Sequence, residues 1–246
     1  MRLVNEDKIT LLIPYRDREA HLKEFLSKIS IISPNVKIII IEQSNSKNYH
    51  CRKDFNKRGV LIRSVYVYAP TDFNRGKLLN IGILNSDTEY VITQDVDIIP
   101  KVNTFNDLYL KDNNYEALKI YSANDLSLGG IVKFKKESLV KANGFSNEIW
   151  GWGMEDRDLH YRFKTNNMKV SKNHKSDNIV SLLRHPSNSK RRQKNRNRRD
   201  KATQIFNRKR AKRLMIYNAD GLNNCHYEIL KEENITNTIK KITVEI

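Results

Sequence analysis

Residues 89–97 of the chain read EYVITQDVD. The first five residues are rich in β-branched and aromatic side chains, which predicts a short buried strand, and two carboxylates follow at its carboxyl end. In open α/β sheets, ligands collect at the carboxyl ends of the strands. Asp95 and Asp97 therefore indicate an α/β fold with a ligand site at this edge of the sheet.

The chain before this stretch alternates between apolar runs and amphipathic segments. Residues 9–13 (ITLLI), 36–41 (VKIIII) and 61–68 (LIRSVYVY) predict three more strands. Apolar residues recur at helical spacing over residues 22–32 and 78–84, which predicts two helices. Strands that alternate with helices are typical of a parallel sheet built from βαβ units.

The second half of the chain is less regular. A strand is expected at residues 131–134, just after a pair of glycines, and helices are expected at residues 137–142 and 155–164. We find no internal repeat and no linker rich in glycine and serine. A single domain over residues 1–246 is therefore the simplest prediction.

Asp95 and Asp97 are candidate metal ligands. Alternate residues of an extended segment point the same way, so both carboxylates can face one site. A divalent cation relieves their mutual repulsion, and oxygen ligands favour Mg²⁺ or Mn²⁺, with an added imidazole shifting the choice toward Mn²⁺. The alternative is a solvated acidic turn.

Two segments combine an aromatic residue with basic ones. PYRDR at residues 14–18 follows the first strand, and FNRGK at residues 73–77 leads into a helix. Arginine can fork onto phosphate oxygens, helix N-termini suit anions, and Tyr15 can cover a flat base. The alternatives are a surface ion pair at a helix start and an ordinary basic first turn.

Residues 150–156 read WGWGMED. Glycines between tryptophans weaken any helix or strand, but they allow a mobile loop whose rings close over a flat sugar face. Glu155 and Asp156 then begin a helix, where negative charge is favourable, so helix capping is their alternative role. His185, beside an apolar segment, is on its own most simply structural.

Composition excludes several classes of protein. The chain has 246 residues, 39% of them apolar, which is enough for a core and argues against wholesale disorder. No run of 18 apolar residues and no apolar leader is visible, so we expect neither a membrane span nor a secretory signal. Cys51 and Cys225 cannot form a disulfide framework and lack zinc spacing. The expected location is the cytoplasm.

The net charge of +17 is concentrated in one segment. Residues 190–213 hold thirteen basic residues against one acidic residue, Asp200, and so carry +12 of that charge. Nucleic acid, an anionic membrane face and a polyanionic substrate are the candidate partners, and a solvated helix is the bland alternative. Only Phe206 interrupts the segment, so stacking platforms are missing and nucleic acid is disfavoured.

Taken together and in order, these motifs resemble the β-1,4-galactosyltransferase family of inverting glycosyltransferases. The resemblance extends over about residues 8–245. The matching stretches are IPYRDR (13–18), FNRGKLLN (73–80), DVDIIP (95–100), Gly129-Gly130, NGFSN (143–147), WGWG (150–153), Glu155-Asp156, Arg184-His185 and DGLN (220–223).

The resemblance implies a GT-A-type fold, which is a Rossmann-like mixed α/β sheet with flanking helices in a single domain. It implies a nucleotide-binding half at residues 1–100 and an acceptor half at residues 101–246. The implied reaction moves galactose or N-acetylgalactosamine from a UDP-sugar to a sugar hydroxyl, with Mn²⁺ as cofactor and Mg²⁺ as the alternative.

Site roles follow from the same resemblance. Asp156 would be the catalytic base, and Asp97 and His185 would bind the metal. The implied donor-binding residues are Pro14, Tyr15, Arg16, Arg18, Phe73, Arg75, Asp95 and Trp152. The implied acceptor- or sugar-binding residues are Gly130, Glu155 and Arg157.

Three positions depart from the family's pattern. Leu182 stands where some members have a methionine metal ligand, so water or a diphosphate oxygen must fill that place. Arg157 replaces the acidic residue that usually follows the catalytic aspartate. Ser127 stands where a tyrosine restricts the C2 substituent of the donor, so we predict that UDP-N-acetylgalactosamine is accepted.

The partner is therefore expected to be a carbohydrate, with anionic and lipid-linked acceptors both open. Residues 190–213 can also contact the inner membrane face, and a polyanion-binding protein acting through them is the alternative function. No anchor, stem or disulfide set of the animal members is visible. With the abundance of Asn, Lys and Ile, this predicts a bacterial or viral origin.

Overall fold

The structure is a computed structural model that describes residues 3–32, 36–44, 62–69, 71–101, 105–112, 115–122, 124–151, 153–173, 179–184, 189–212, 219–234 and 239–245. The strands are β1 (Ile9–Tyr15), β2 (Lys37–Ser44), β3 (Ile62–Tyr68), β4 (Tyr90–Gln94), β5 (Ile98–Pro100), β6 (Ala117–Tyr121), β7 (Ile131–Lys135), β8 (Val170–Lys172), β9 (Val180–Leu182), β10 (Glu228–Asn234) and β11 (Ile239–Glu245). The α-helices are α1 (Glu19–Ile32), α2 (Arg75–Leu84), α3 (Lys136–Lys141), α4 (Glu155–Thr165) and α5 (Ser189–Lys212).

Nine of these strands form one sheet in the order β10-β11-β3-β2-β1-β4-β7-β6-β8. The five strands from β11 to β4 run parallel, while β10 and β7 pair antiparallel with their neighbours. The predicted mixed α/β sheet is thus confirmed. Because β10 and β11 join the sheet beside β3, both halves of the sequence contribute to one continuous sheet.

The residues of strand β1 are almost all apolar because the strand is buried along its whole length. Helices cover both faces of the sheet at this strand. Leu11 packs in the cluster that contains Phe25 of α1, whereas Leu12 packs in the cluster that contains Leu78 of α2 and Leu159 of α4. Each fully buried side chain of this size contributes about 1.5–3 kcal/mol.

Strand β1 also extends further than its sequence suggests, passing through Pro14 to Tyr15. Its pairing with β4 stops at Leu12, whereas its pairing with β2 continues to Tyr15. Pro14 lies beyond the last pair with β4, so its missing N–H removes no bond to that strand. The strand therefore delivers Tyr15 to the ligand edge of the sheet.

A small second sheet holds the chain against the end of β4. Strands β5 and β9 pair antiparallel, with Ile98 opposite Leu182. Beside them, the Leu183 N–H donates to the carbonyl oxygen of Asp97 over 2.8 Å. Residues 179–184 are thereby fixed next to the acidic turn that follows β4.

Residues 190–212 of the basic segment lie in α5, and Arg213 lies outside the described residues. The helix is not solvated on all sides, because Ala202 and Phe206 are buried against Ile149 and Met154. In the described part of the chain, no helix has both the length and the apolar content that a bilayer crossing requires.

Candidate active site

Helix α2 begins at the ligand edge of the sheet with a well-formed cap. The Asn74 side-chain oxygen accepts a hydrogen bond from the Lys77 N–H over 2.9 Å, and the Asn74 N–H donates to Gln43 Oε1 over 2.9 Å. Phe73, just before the cap, is partly buried and packs against the core. This cap fixes the position of the first helical turn, from which the Arg75 side chain projects.

Arg75 lies between two carboxylates. Its Nε and Nη2 approach Asp95 Oδ1 at 3.0 and 2.9 Å, and its Nη1 approaches Glu155 Oε1 at 3.4 Å. Burial alone would lower the pKa of Arg75, but Asp95, Glu155 and Asp156 outweigh burial and raise it. The guanidinium therefore joins the end of β4 to the start of α4.

The site holds more negative than positive charge. Burial raises the pKa of the Asp95 carboxyl, and repulsion from Asp97 adds to this while Arg75 opposes it. Burial, together with the neighbouring Asp156 carboxylate, raises the pKa of Glu155 to about 7. Perturbed carboxyls that share a cleft with a specific cation are typical of functional sites.

Asp156 occupies the first turn of α4. Its carbonyl oxygen accepts from the Leu128 N–H over 3.0 Å, and its Oδ1 accepts from the Arg157 N–H over 2.8 Å. A Cβ atom added to Gly129 would lie 3.2 Å from Asp156 Cγ and would overlap its Oδ2. The stretch before β7 therefore packs its backbone directly against this carboxylate.

Gly130 connects the same stretch to Asp95. Its carbonyl oxygen accepts from the Asp95 N–H over 3.3 Å. Its φ of +85° is rarely adopted by other residues, and a side chain here would overlap the carbonyl oxygen of Tyr121. Gly129 and Gly130 thus bring β4, β7 and α4 together around one point.

The residues of segment 14–18 make different contacts, although the sequence suggests one shared role in binding a ligand. Arg18 Nη1 lies 3.3 Å from Asp97 Oδ2, and the Arg18 N–H donates to the Tyr15 hydroxyl over 3.2 Å. Arg16 Nη1 donates to the carbonyl oxygen of Thr71 over 2.8 Å. Pro14 and the Tyr15 ring are buried, so the described geometry does not support the expected stacking of Tyr15 on a base.

Two predicted site residues, Trp152 and His185, lie outside the described residues. The described chain flanks both of them in sequence. Gly151 N–H donates to the Phe73 carbonyl oxygen over 2.8 Å, and Met154 has a strained φ of +79°. On the other side, Leu183 is hydrogen-bonded to Asp97 two residues before His185.

The carboxylate oxygens at this edge of the sheet are ligand atoms suited to a hard divalent cation. Asp95, Asp97, Glu155 and Asp156 supply carboxylate oxygens in excess of the two arginines that face them. Within the ranges that the structure describes, no three His, Cys, Asp or Glu residues are grouped as a complete metal site. Asp97 lies at this edge, where its Oδ2 is 3.3 Å from Arg18 Nη1.

Sequence reasoning missed a buried ionic cluster behind α4, formed by Asp158, Arg162, Lys209 and Asp220. Arg162 Nε lies 2.7 Å from Asp158 Oδ2, and its Nη2 lies 3.2 Å from Asp220 Oδ2. Lys209 of α5 contacts the same Asp220 oxygen. The i, i+4 spacing of Asp158 and Arg162 was the available signal, whereas the other two partners come from distant segments.

A second missed feature is a set of asparagines that fixes residues 143–148. Asn80 Nδ2 donates to the Phe145 carbonyl oxygen over 2.8 Å, and the Asn147 N–H donates to Asp220 Oδ1 over 2.8 Å. Asn147 Nδ2 also donates to the Gly221 carbonyl oxygen over 2.7 Å. The motifs at residues 73–80, 143–147 and 220–223 are therefore neighbours in space.

Comparison with known proteins points to one family. A family model described as the N-terminal domain of galactosyltransferase matches residues 112–186. β-1,4-Galactosyltransferase 4 of Rattus norvegicus is 30% identical over 246 aligned residues, which cover 92% of this chain and 60% of that protein. β-1,4-Galactosyltransferase 1 of Homo sapiens is 27% identical, with 99% and 56% covered. The chain thus spans about 60% or less of these relatives.

A solved structure shows the same fold. β-1,4-Galactosyltransferase 7 of Drosophila, solved as a mutant in complex with manganese, UDP-Gal and xylobiose, superposes with a TM-score of 0.65 at 22% identity. The match covers 97% of this chain and 93% of that one.

The mixed nine-stranded sheet, with helices on both faces and acidic residues at the end of β4, defines a protein of the GT-A glycosyltransferase fold class. Within that class, the sequence relatives are specific. The chain is similar over nearly its whole length to members of the β-1,4-galactosyltransferase family.

Proposed function

We propose that the chain is a metal-dependent inverting glycosyltransferase that moves galactose or N-acetylgalactosamine from a UDP-sugar to a sugar hydroxyl. The observation that carries this proposal is the position of Asp156. Its carboxylate lies against Gly129, beside the Arg75–Asp95–Glu155 cluster at the carboxyl ends of the strands. A general base and a charged donor site therefore share one edge of the sheet.

The donor diphosphate is assigned to the arginines at this edge. Arg18 and Arg75 are both held by carboxylates, so their guanidinium groups are oriented before a ligand arrives. Such preorganisation reduces the entropy lost when phosphate oxygens bind. Pro14, Tyr15, Arg16 and Phe73 would support the uridine side of the site through the backbone and packing of their segments.

Asp97 and His185 would hold Mn²⁺, or Mg²⁺ as the alternative. The hydrogen bond between Leu183 and Asp97 supports this pairing, because it leads the chain that precedes His185 to the Asp97 backbone. When bound, the cation offsets the charge on the departing diphosphate. Leu182, three residues before His185, is 58% exposed, and its side chain has no atom that can bind a metal.

Asp156 is assigned the proton transfer. It removes the proton from the acceptor hydroxyl, whose oxygen forms a bond to the anomeric carbon as the bond to UDP breaks and UDP leaves with the electron pair. General base catalysis of this kind contributes about 10²–10⁴-fold. One base and no enzyme nucleophile give inversion, by a transition state like that of glycoside hydrolysis. Trp152, Glu155, Arg157 and Gly130 would contact the sugars.

Ser127 is assigned the choice of donor. It is buried, and its hydroxyl donates to the Asn124 carbonyl oxygen over 3.3 Å, one residue before the Leu128 that bonds to Asp156. A small side chain here leaves room for an N-acetyl group. We expect UDP-N-acetylgalactosamine to be used at least as well as UDP-galactose, and Ser127→Tyr to favour UDP-galactose. Rejection of every N-acetylated donor by the unmodified protein contradicts this assignment.

The function is tested by UDP release from a panel of UDP-sugars with Mn²⁺, with and without sugar acceptors. Asp156→Asn should lower transfer by about 10²–10⁴-fold while UDP binding is retained. Asp97→Ala should lower activity and weaken its dependence on Mn²⁺. Unchanged turnover in Asp156→Asn would remove Asp156 from its role as base.

A second candidate function is polyanion binding through residues 190–213, because α5 has the charge for it whether or not the chain transfers sugars. Contact with an anionic inner membrane face remains part of this candidate. Vesicle binding that is lost when residues 190–199 are neutralised is the measurement that tests it.

A further inference from the structure

Strands β6 and β7 each carry a buried lysine. Lys119 of β6 is 3% exposed and Lys133 of β7 is 1% exposed. The Nζ of each donates to two backbone carbonyl oxygens of a neighbouring segment. Because a buried charge is costly unless it is hydrogen-bonded, each lysine depends on these carbonyls and in turn fixes the segment that supplies them.

The two lysines lie on opposite faces of the sheet, since side chains alternate between the faces along a strand. Ala117, two residues before Lys119, packs in the cluster that contains Leu159 of α4. Ile131, two residues before Lys133, packs in the cluster on the other side of the sheet. Lys119 is therefore on the face that α4 covers, and Lys133 is on the opposite face.

Lys119 holds the stretch of residues 124–128, which lies between β6 and β7. Its Nζ donates to the carbonyl oxygen of Asn124 over 3.0 Å and to that of Asp125 over 2.7 Å. The same Asn124 carbonyl oxygen accepts from the Ser127 hydroxyl over 3.3 Å. The ammonium group thus fixes the turn at the start of this stretch and, through it, the position of Ser127.

The end of this stretch makes the contacts that place Asp156. The Leu128 N–H donates to the Asp156 carbonyl oxygen over 3.0 Å, and the Gly129 backbone that follows lies against the Asp156 carboxylate. The charges agree with this proximity, because burial lowers the pKa of Lys119 and nearby carboxylates, Asp156 among them, oppose that change. The backbone of the stretch therefore connects Lys119 to Asp156.

We propose that Lys119 is a positioning residue for sugar transfer, which sets the place of the Asp156 carboxylate by fixing residues 124–128. The inference rests on the proposed function and adds to it a residue that acts through the backbone. A compact ammonium group with three donors can hold two adjacent carbonyl oxygens at once. Without it, both oxygens lose a buried partner, and the stretch can shift relative to α4.

The matched variants are Lys119→Met and Lys133→Met. Each replaces a buried ammonium by an apolar side chain of similar length and leaves two carbonyl oxygens without that donor. Lys133 binds the carbonyl oxygens of Tyr109 and Lys111, both over 2.8 Å, and Tyr109 packs on the face of the sheet away from α4. The pair therefore separates a general loss of stability from a displacement of Asp156.

Both variants should unfold at a lower urea concentration than the unmodified protein. Lys119→Met should lower kcat by about 10- to 100-fold and change the Kd of UDP, measured with Mn²⁺, by less than about 3-fold, because the displaced group acts in the reaction step. Lys133→Met should keep kcat within about 3-fold under conditions where it is folded.

Hydrogen exchange followed by mass spectrometry tests the same inference without any substrate. Exchange should accelerate at residues 124–128 in Lys119→Met and at residues 109–111 in Lys133→Met. Lys119→Gln keeps one N–H donor group at this depth, so its kcat should lie between those of the unmodified protein and Lys119→Met. This variant gives the answer if Lys119→Met does not fold.

Equal losses of kcat in the two methionine variants overturn the proposal, because activity would then follow stability alone. Unchanged exchange at residues 124–128 in Lys119→Met also overturns it, as does full kcat in Lys119→Gln when exchange at these residues is accelerated. If the unmodified protein releases no UDP from any donor, the proposed transfer is rejected, and the exchange measurement still decides whether Lys119 fixes the stretch.

Discussion

Gly129 and Asp156 are in such close contact that no side chain fits between them. A Cβ on Gly129 would overlap Asp156 Oδ2 and lie 3.2 Å from its Cγ. The stretch before β7 thus limits the positions that the proposed catalytic base can adopt. Preorganisation of this kind is what a general base needs, because small misplacements of a reacting group cost rate.

Gly129→Ala is therefore expected to lower transfer by about 10- to 100-fold, because the added methyl group must displace the Asp156 carboxylate. The measurement is UDP release at saturating donor and acceptor. Leu126→Ala, which alters an exposed residue of the same stretch, is the control. An Ala variant with full activity would show that the Asp156 position is not critical.

Glu155→Gln should change how stability depends on pH. The pKa of Glu155 is raised from 4.5 to about 7, so between these values the native state holds a proton that the unfolded state has lost. Stability of the unmodified protein should fall over this range as pH rises. Glutamine does not titrate, so the Glu155→Gln variant should not lose this stability. The free energy of unfolding of the variant minus that of the unmodified protein, measured in urea, should increase by about 2 kcal/mol from pH 5 to pH 8.

The control for this measurement is Glu137→Gln, which alters an exposed glutamate at the start of α3. The same shift in both variants, or none in Glu155→Gln, would contradict the assigned environment of Glu155.

Lys209→Met should destabilise the fold by about 3 kcal/mol, because it leaves buried Asp220 without one of its two cations. The adjacent Arg208→Met should cost less than about 1 kcal/mol, since Arg208 is exposed and its partner Glu148 is half exposed. Urea unfolding compares the two variants. A double-mutant cycle with Asp220→Asn isolates the pair, and purely additive effects would exclude direct coupling.

Arg75→Lys should reduce kcat/KM for the UDP-sugar by about 10-fold or more, because an ammonium cannot bridge Asp95 and Glu155 in the fixed geometry of a guanidinium. Lys77→Arg, in the same helical turn, is the matched control. Equal kinetics for both variants would show that the bridge has no part in donor use.

The strands and helices that carry strong local apolar patterns were predictable from the sequence. The patterns over residues 9–13, 36–41 and 61–68 correspond to β1, β2 and β3 because these strands are buried between two layers of helices. By contrast, β10 has the sequence EILKEEN and is largely exposed, so its position at the sheet edge had no apolar signal. Pairings such as β11 with β3 join distant segments and leave no local trace.

The site was predictable where one physical rule applies to several residues. Asp95 and Asp97 follow one strand and Arg18 follows another, so the strand-end rule predicted that they would meet. The bridge that Arg75 makes to Glu155, and the burial of Lys209 with Asp220, depend on how helices pack and were not predictable. The roles of Trp152 and His185 remain predictions.

Strand β11 lies between β3 and β10, and it is formed by residues 239–245. During synthesis, one edge of β3 therefore stays unpaired until nearly all of the described chain has left the ribosome. An open strand edge is a template for aggregation, and slow pairing of distant strands prolongs its exposure. Translation speed and chaperone supply, rather than the strength of the finished sheet, should thus set the yield of active protein in a heterologous host.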